Sequence, residues 1–184
     1  MLDLLLAAPA ARIVTVSSVG HRHGAIRLDD LNFDRGYRWQ PAYFQSKLAN
    51  LMFTFGLQRR LAAAGAAAIA LAAHLGNART SLGRGLPAPA RAVLSPRLRL
   101  LTFWLLQPTE IAALPIVRAA AGPGVEGGEY YGPRGWREWT GYPDHAEPIA
   151  RAYDQDVQRR LWEASEQLTG VTYQLAAAPV QGCQ

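Results

Sequence analysis

Two short apolar runs, set on either side of a long helical pattern, limit what this chain can fold into. Residues 12–18, Arg-Ile-Val-Thr-Val-Ser-Ser, are rich in β-branched side chains and end on small hydroxyls, which predicts a buried strand. Residues 67–73, Ala-Ala-Ile-Ala-Leu-Ala-Ala, are bounded by Gly65 and Gly76 and too short for most helices, so they read as a second strand. Between them, Leu48, Leu51, Met52, Phe55 and Leu61 recur at helical spacing over residues 41–64. Pro41 suits the first turn of that helix and Gly65 its carboxy-terminal cap. A further helix is expected from Thr109 to Ala121, with Pro115 bending it. A short strand at Glu129-Tyr130-Tyr131 follows, then a last helix over residues 148–168 that stops at Gly170. Residues 19–40 form a long loop, and loops of that length in compact domains are usually functional. Residues 75–96 read as irregular, and 97–106 as a short amphipathic helix. Strands alternating with helices in this way imply parallel pairing and an α/β layered fold.

Composition narrows the function classes. A length of 184 residues suits one domain, and 49% apolar residues are enough for a packed core. The single cysteine, Cys183, excludes an internal disulfide and a zinc cluster, which fits a reducing compartment, and a cytoplasmic location is the expectation. The net charge of +5 is carried by arginines and one lysine, spread along the chain without a dense basic run. A nucleic-acid footprint needs clustering, so no nucleic-acid partner is expected. The opening Met1 to Ala10 lacks the basic start of a signal segment and is interrupted by Asp3, so it reads as the end of a helix. The apolar stretch Leu98 to Leu106 falls well short of the roughly 20 residues that a membrane-spanning helix needs.

Tyr43 and Lys47 stand four apart on the predicted helix, so both lie on one face. A phenol ordinarily titrates near about pH 10, and a neighbouring ammonium favours its phenolate. A phenol so tuned exchanges a proton with an alcohol oxygen. The pair alone is weak evidence, since a surface lysine and a packed tyrosine give the same spacing. The strand before it adds Ser17 and Ser18 at a carboxyl end, where open α/β sheets collect ligands, although strand-end capping also uses such hydroxyls. His21 and His23 form an H-x-H pair without a third ligand nearby, which favours a polar loop over a metal site. His74 reads as a strand-end residue. Gly122-Pro-Gly-Val-Glu-Gly127 matches G-x-G-x-x-G literally, but it follows a helix and precedes a strand, and Pro123 removes an amide, so it reads as a turn.

Together, the strand ending in Ser18-Val-Gly20, the run Tyr43-Phe-Gln-Ser-Lys47-Leu-Ala-Asn50 and the 25-position gap between Ser18 and Tyr43 resemble the active site of the short-chain dehydrogenase/reductase family. The Asp29-Asp30-Leu31 loop and the run from Arg160 to Gly170 resemble its retinol-dehydrogenase-like branch. The resemblance covers residues 1–173, read as the carboxy-terminal part of such a domain, with 174–184 a flexible tail. It implies a partial Rossmann-like, doubly wound parallel sheet lacking its amino-terminal cofactor-binding half. No T-G-x-x-x-G-x-G loop and no N-A-G motif occurs in these residues. In the family, Tyr43 would be the acid/base and Ser18 would orient the substrate oxygen. Lys47 would depress the pKa of the phenol and bind the nicotinamide ribose. Gly76 and Thr80 sit where cofactor contacts fall, within His74-Leu-Gly-Asn-Ala-Arg-Thr80, where Leu75 replaces the usual proline. The implied cofactor is NADP or NAD, with NADP favoured by analogy to the branch. The implied substrate is a small apolar alcohol or carbonyl compound, and a homo-oligomer is one outcome. Leu98, Leu100, Leu101, Phe103, Trp104 and Leu105 stand equally as a lid over such a substrate or as ordinary core. An inactive fragment or an interaction module built on the first strand's free edge remains the alternative function.

Overall fold

The computed structural model describes residues 2–78, 105–173 and 175. Thr80, the run from Leu98 to Trp104 and, apart from Leu175, the tail from 174 onward lie outside the described residues. Helix α1 is Leu2–Ala7, strand β1 Arg12–Val16, helix α2 Trp39–Ala63 and strand β2 Ile69–Ala73. Helix α3 spans Thr109–Ala121, strand β3 Tyr130–Pro133, strand β4 Pro143–His145 and helix α4 Gln155–Thr169. The fold class is α/β, and the sheet runs β1-β2-β3-β4. β1 pairs parallel with β2 from Arg12 opposite Ile69 to Val16 opposite Ala73, and β2 pairs parallel with β3 at Ala72 opposite Tyr130. β4 is antiparallel, with Gly132 opposite Asp144.

The composition of β2 follows from its place between two helical layers. Ala70 and Ala72 pack with α2 residues such as Leu61 and Leu51. Leu71 and Ala73 face the other way, onto Ala119 of α3 and Tyr131. Both faces are covered, so the strand reads as a continuous apolar run without alternation. α2 is buried along Leu48, Leu51, Met52 and Phe55, the positions its spacing predicted. It starts two residues earlier than expected, and Gly65 closes it at φ +64. Pro115 sits inside α3, which continues through it to Ala121.

Two expectations need correction. The single helix over 148–168 is a 3-10 turn at Ala150–Tyr153 followed by α4. Asp154 divides them: its backbone is extended, and its carboxylate accepts from the amides of Asp156 and Val157, both at 3.1 Å. The sheet is also not wholly parallel, because β4 closes its edge as the return arm of a hairpin. Among the described residues, no helix is long and apolar enough to cross a membrane.

Candidate functional site

The carboxyl ends of β1 and β2 and the connection from β3 to β4 meet beside the first turns of α2. After Val16, the buried Ser17 donates from its amide to the Ala73 carbonyl at 2.8 Å and from its hydroxyl to the Lys47 carbonyl at 2.9 Å. Ser18 then caps a 3-10 turn at Val19–His23, its Oγ accepting from the Gly20 amide at 3.2 Å. Two glycines let this turn press against α2. A Cβ on Gly20 would lie 2.9 Å from Phe44 Cδ1 and 3.1 Å from Tyr43 Cε1, and one on Gly24 would lie 2.5 Å from the Phe44 carbonyl oxygen.

The result is a solvent-open cleft of about 590 Å³ whose walls include Ser18, Tyr43, Phe44, Asn77, Arg137 and Trp139. The structure therefore brings Ser18 and Tyr43 to one cavity. Tyr43 is 41% exposed, and the Lys47 ammonium lies 5.7 Å from its ring centre. That ammonium also contacts the Val16 carbonyl at 3.5 Å, an oxygen that accepts a shorter bond of 2.9 Å from Asn50 Nδ2.

Gly76 stands at the rim with φ +63, where a Cβ would overlap the Trp139 carbonyl oxygen and lie 2.8 Å from the Pro133 ring. Protein contacts alone thus call for glycine there. The neighbouring Asn77 amide donates to the Trp139 carbonyl at 2.7 Å, and buried Gln107 joins the Leu75 carbonyl (2.9 Å) to the Gly141 amide (2.7 Å).

His74 does end β2, as expected, but it has a partner no local motif announced. Its ring is fully buried, with Nε2 3.0 Å from one oxygen of Glu138, and the other oxygen accepts from Arg22 at 2.6 Å. Burial alone would raise the pKa of Glu138. The hydrogen bond from His74 and the charge of Arg22 outweigh it and hold the carboxyl below its ordinary range. His21 and His23 part company: His21 is buried, with Nδ1 2.6 Å from the Ser18 carbonyl and Nε2 accepting from the Ile149 amide at 3.2 Å, while His23 is exposed beside Phe44. This pattern fits a neutral ring with its proton on Nδ1, and burial lowers its proton affinity. Among the described residues, no three His, Cys, Asp or Glu side chains gather to hold a metal ion. The turn from Gly122 to Gly127 enters β3 at the opposite end of the sheet from the cleft, with the Gly122 carbonyl held by Arg12 at 2.8 Å.

Sequence reading overlooked Glu138, Arg137, Trp139 and the partnership of Arg22. Glu138 and His74 are 64 positions apart, and only the β3–β4 hairpin brings them together.

No family model matches the chain. It is similar to retinol dehydrogenase 13 of Homo sapiens, 37% identical over 174 residues that make up 93% of this chain and 49% of the relative. It is similar to retinol dehydrogenase 14 of Homo sapiens, 34% identical over 93% of this chain and 48% of the relative. Polyprenol dehydrogenase of Mus musculus is 38% identical over 87% of this chain and 44% of its own length. A crystal structure of an uncharacterized protein from Mycobacterium paratuberculosis superposes with a TM-score of 0.63 at 36% identity, covering 89% of this chain and 52% of that one. The chain spans about half the length of the curated relatives it matches.

Proposed function

We propose that this chain, which belongs to the short-chain dehydrogenase/reductase family in its retinol-dehydrogenase-like branch, carries the substrate side of a nicotinamide-dependent oxidoreductase site. The observation that supports this most is the shared cleft: Ser18 and Tyr43 line it together, with the chain's one lysine beside the phenol ring.

Tyr43 is the proposed acid/base. Its hydroxyl hands a proton to a carbonyl oxygen on reduction and takes one from an alcohol on oxidation. Ser18 orients that oxygen by a hydrogen bond, and the charge of Lys47 balances the negative charge that develops on the phenol oxygen. When bound, a nicotinamide dinucleotide, NADP by analogy to the branch, would supply or take the hydride. The residues at its ribose end fit: among the described residues the Lys47 ammonium has a single long contact of 3.5 Å, which leaves donors for ribose hydroxyls. Tyr43, Gly76 and Thr80 complete the proposed contacts. No T-G-x-x-x-G-x-G run, the pattern that holds the pyrophosphate in the family, occurs in the 184-residue sequence. The substrate class is an alcohol or carbonyl compound with an apolar body, a reading supported by relatives named for retinol and polyprenol and by the Val19, Phe44 and Trp139 walls.

The test titrates the purified chain with NADPH and NADH by nucleotide fluorescence, then follows retinal reduction. The expected result is nucleotide binding, with Tyr43→Phe lowering turnover by about 10²–10⁴ while binding persists. Failure of both nucleotides to bind at millimolar levels, or undiminished turnover in the variant, rejects the reading in favour of a non-catalytic chain that pairs through the outer edge of β1.

A further inference from the structure

The cleft carries more positive charge than the proposed proton chemistry uses. Arg22 and Arg137 line it, and Lys47 stands beside Tyr43. Arg22 is already engaged, because its guanidinium holds the Glu138 carboxylate at 2.6 Å and that carboxylate also serves His74. Arg137 is exposed and, among the described residues, in no ion pair. Its guanidinium rests over Trp136 at 4.7 Å and Trp139 at 5.7 Å, a stacking that holds the planar group without consuming its donors.

The backbone here is unusual. Arg137 and Glu138 stand in succession at φ 53 and φ 59, a region that side-chain-bearing residues rarely adopt. The two turns in sequence let one residue serve the interior and the next the cavity: Glu138 is half-buried against His74, and Arg137 lines the cleft. Backbone strain of this kind persists where the surroundings enforce it, most often at binding sites. In this loop the enforcement comes from Gly135, whose amide bonds the Thr140 carbonyl at 2.9 Å, and from the Trp139 carbonyl held by Asn77.

We propose that Arg137 recognises a carboxylate on the substrate, so that the ligand is an apolar alcohol or carbonyl compound with an anionic end. This rests on reading the cleft as the substrate site. The reacting oxygen sits at Ser18 and Tyr43, the apolar body lies along Val19, Phe44 and Trp139, and the carboxylate meets the Arg137 fork, whose planar donors match it in a bidentate pair.

The test uses calorimetric titration of the whole 184-residue chain with decanoate and with 1-decanol, in parallel with Arg137→Gln and Arg137→Lys. Decanoate is expected to bind about tenfold more tightly than decanol, an advantage that added salt diminishes. Arg137→Gln should abolish the advantage without changing decanol affinity, and Arg137→Lys should restore part of it. If decanol binds and decanoate gains nothing, the inference falls and the substrate cleft stands. If neither binds, both fall. A third arm compares NADP and NAD: should Arg137→Gln weaken NADP alone and spare decanoate, the arginine serves a cofactor phosphate and the inference is overturned.

Discussion

His74 leaves β2 buried on every side and directs Nε2 at Glu138, and the partner strand yields room for it through Gly132. A Cβ there would overlap Nε2 and lie 2.6 Å from Cδ2, so the ring or the strand would have to move. Gly132→Ala is expected to lower unfolding free energy by about 1–3 kcal/mol, the usual cost of overpacking a filled core, as read by urea denaturation. An unchanged midpoint would show that the imidazole has slack. The placement of Ser18 after a strand end, and of Tyr43 and Lys47 on one helical face, was legible because each is set by its own element. Glu138 and Arg137 were not, because a carboxylate and a guanidinium in a loop look like ordinary surface charge until the hairpin turns the first onto His74 and the second into the cleft.

Elements were legible where burial imposed a period. α2 and β2 have one or both faces committed to core, and their apolar spacing shows it. β4 has three residues, Pro-Asp-His, with no period to read, and its pairing is supplied by Tyr131, Gly132 and Pro133 of β3. The start of α4 is not legible because Ala150 to Tyr153 carries helix-compatible residues, and the break depends on Asp154 bonding the amides ahead of it. Asp154→Ala should cost about 1 kcal/mol of stability through loss of that cap. Urea titration alongside Asp156→Ala, which keeps the capping carboxylate, separates this from a plain change of charge. Equal losses in the two variants would remove the capping account.

At the scale of the molecule, His21 joins the loop after β1 to the segment leading into the last helix, 128 positions away. Burial lowers its proton affinity from the ordinary value of 6.5, so the folded ring stays neutral where the unfolded one takes a proton. Above that pH both states are neutral and nothing is lost. As the pH falls below it, only the unfolded chain gains the proton, and stability should decline by at most about 1.4 kcal/mol per pH unit for one group. Glu138 adds a second, more acidic loss, because its depressed carboxyl favours the fold above the ordinary value of 4.5 and stops doing so as the pH falls through the folded value. Urea midpoints across pH should show the first decline in the wild type and its flattening in His21→Gln. A midpoint independent of pH from neutrality to about pH 5 would contradict the neutral ring. The whole-fold expectation of an α/β sheet was legible from alternation alone, whereas the antiparallel arm was not. That arm's connection gives the cavity its Trp139 wall and, through the same residue's carbonyl, fastens the peptide that follows β2. Displacing that wall would slacken the peptide as well, so the contour of the cavity and the path of the chain beyond β2 are set by one and the same bond.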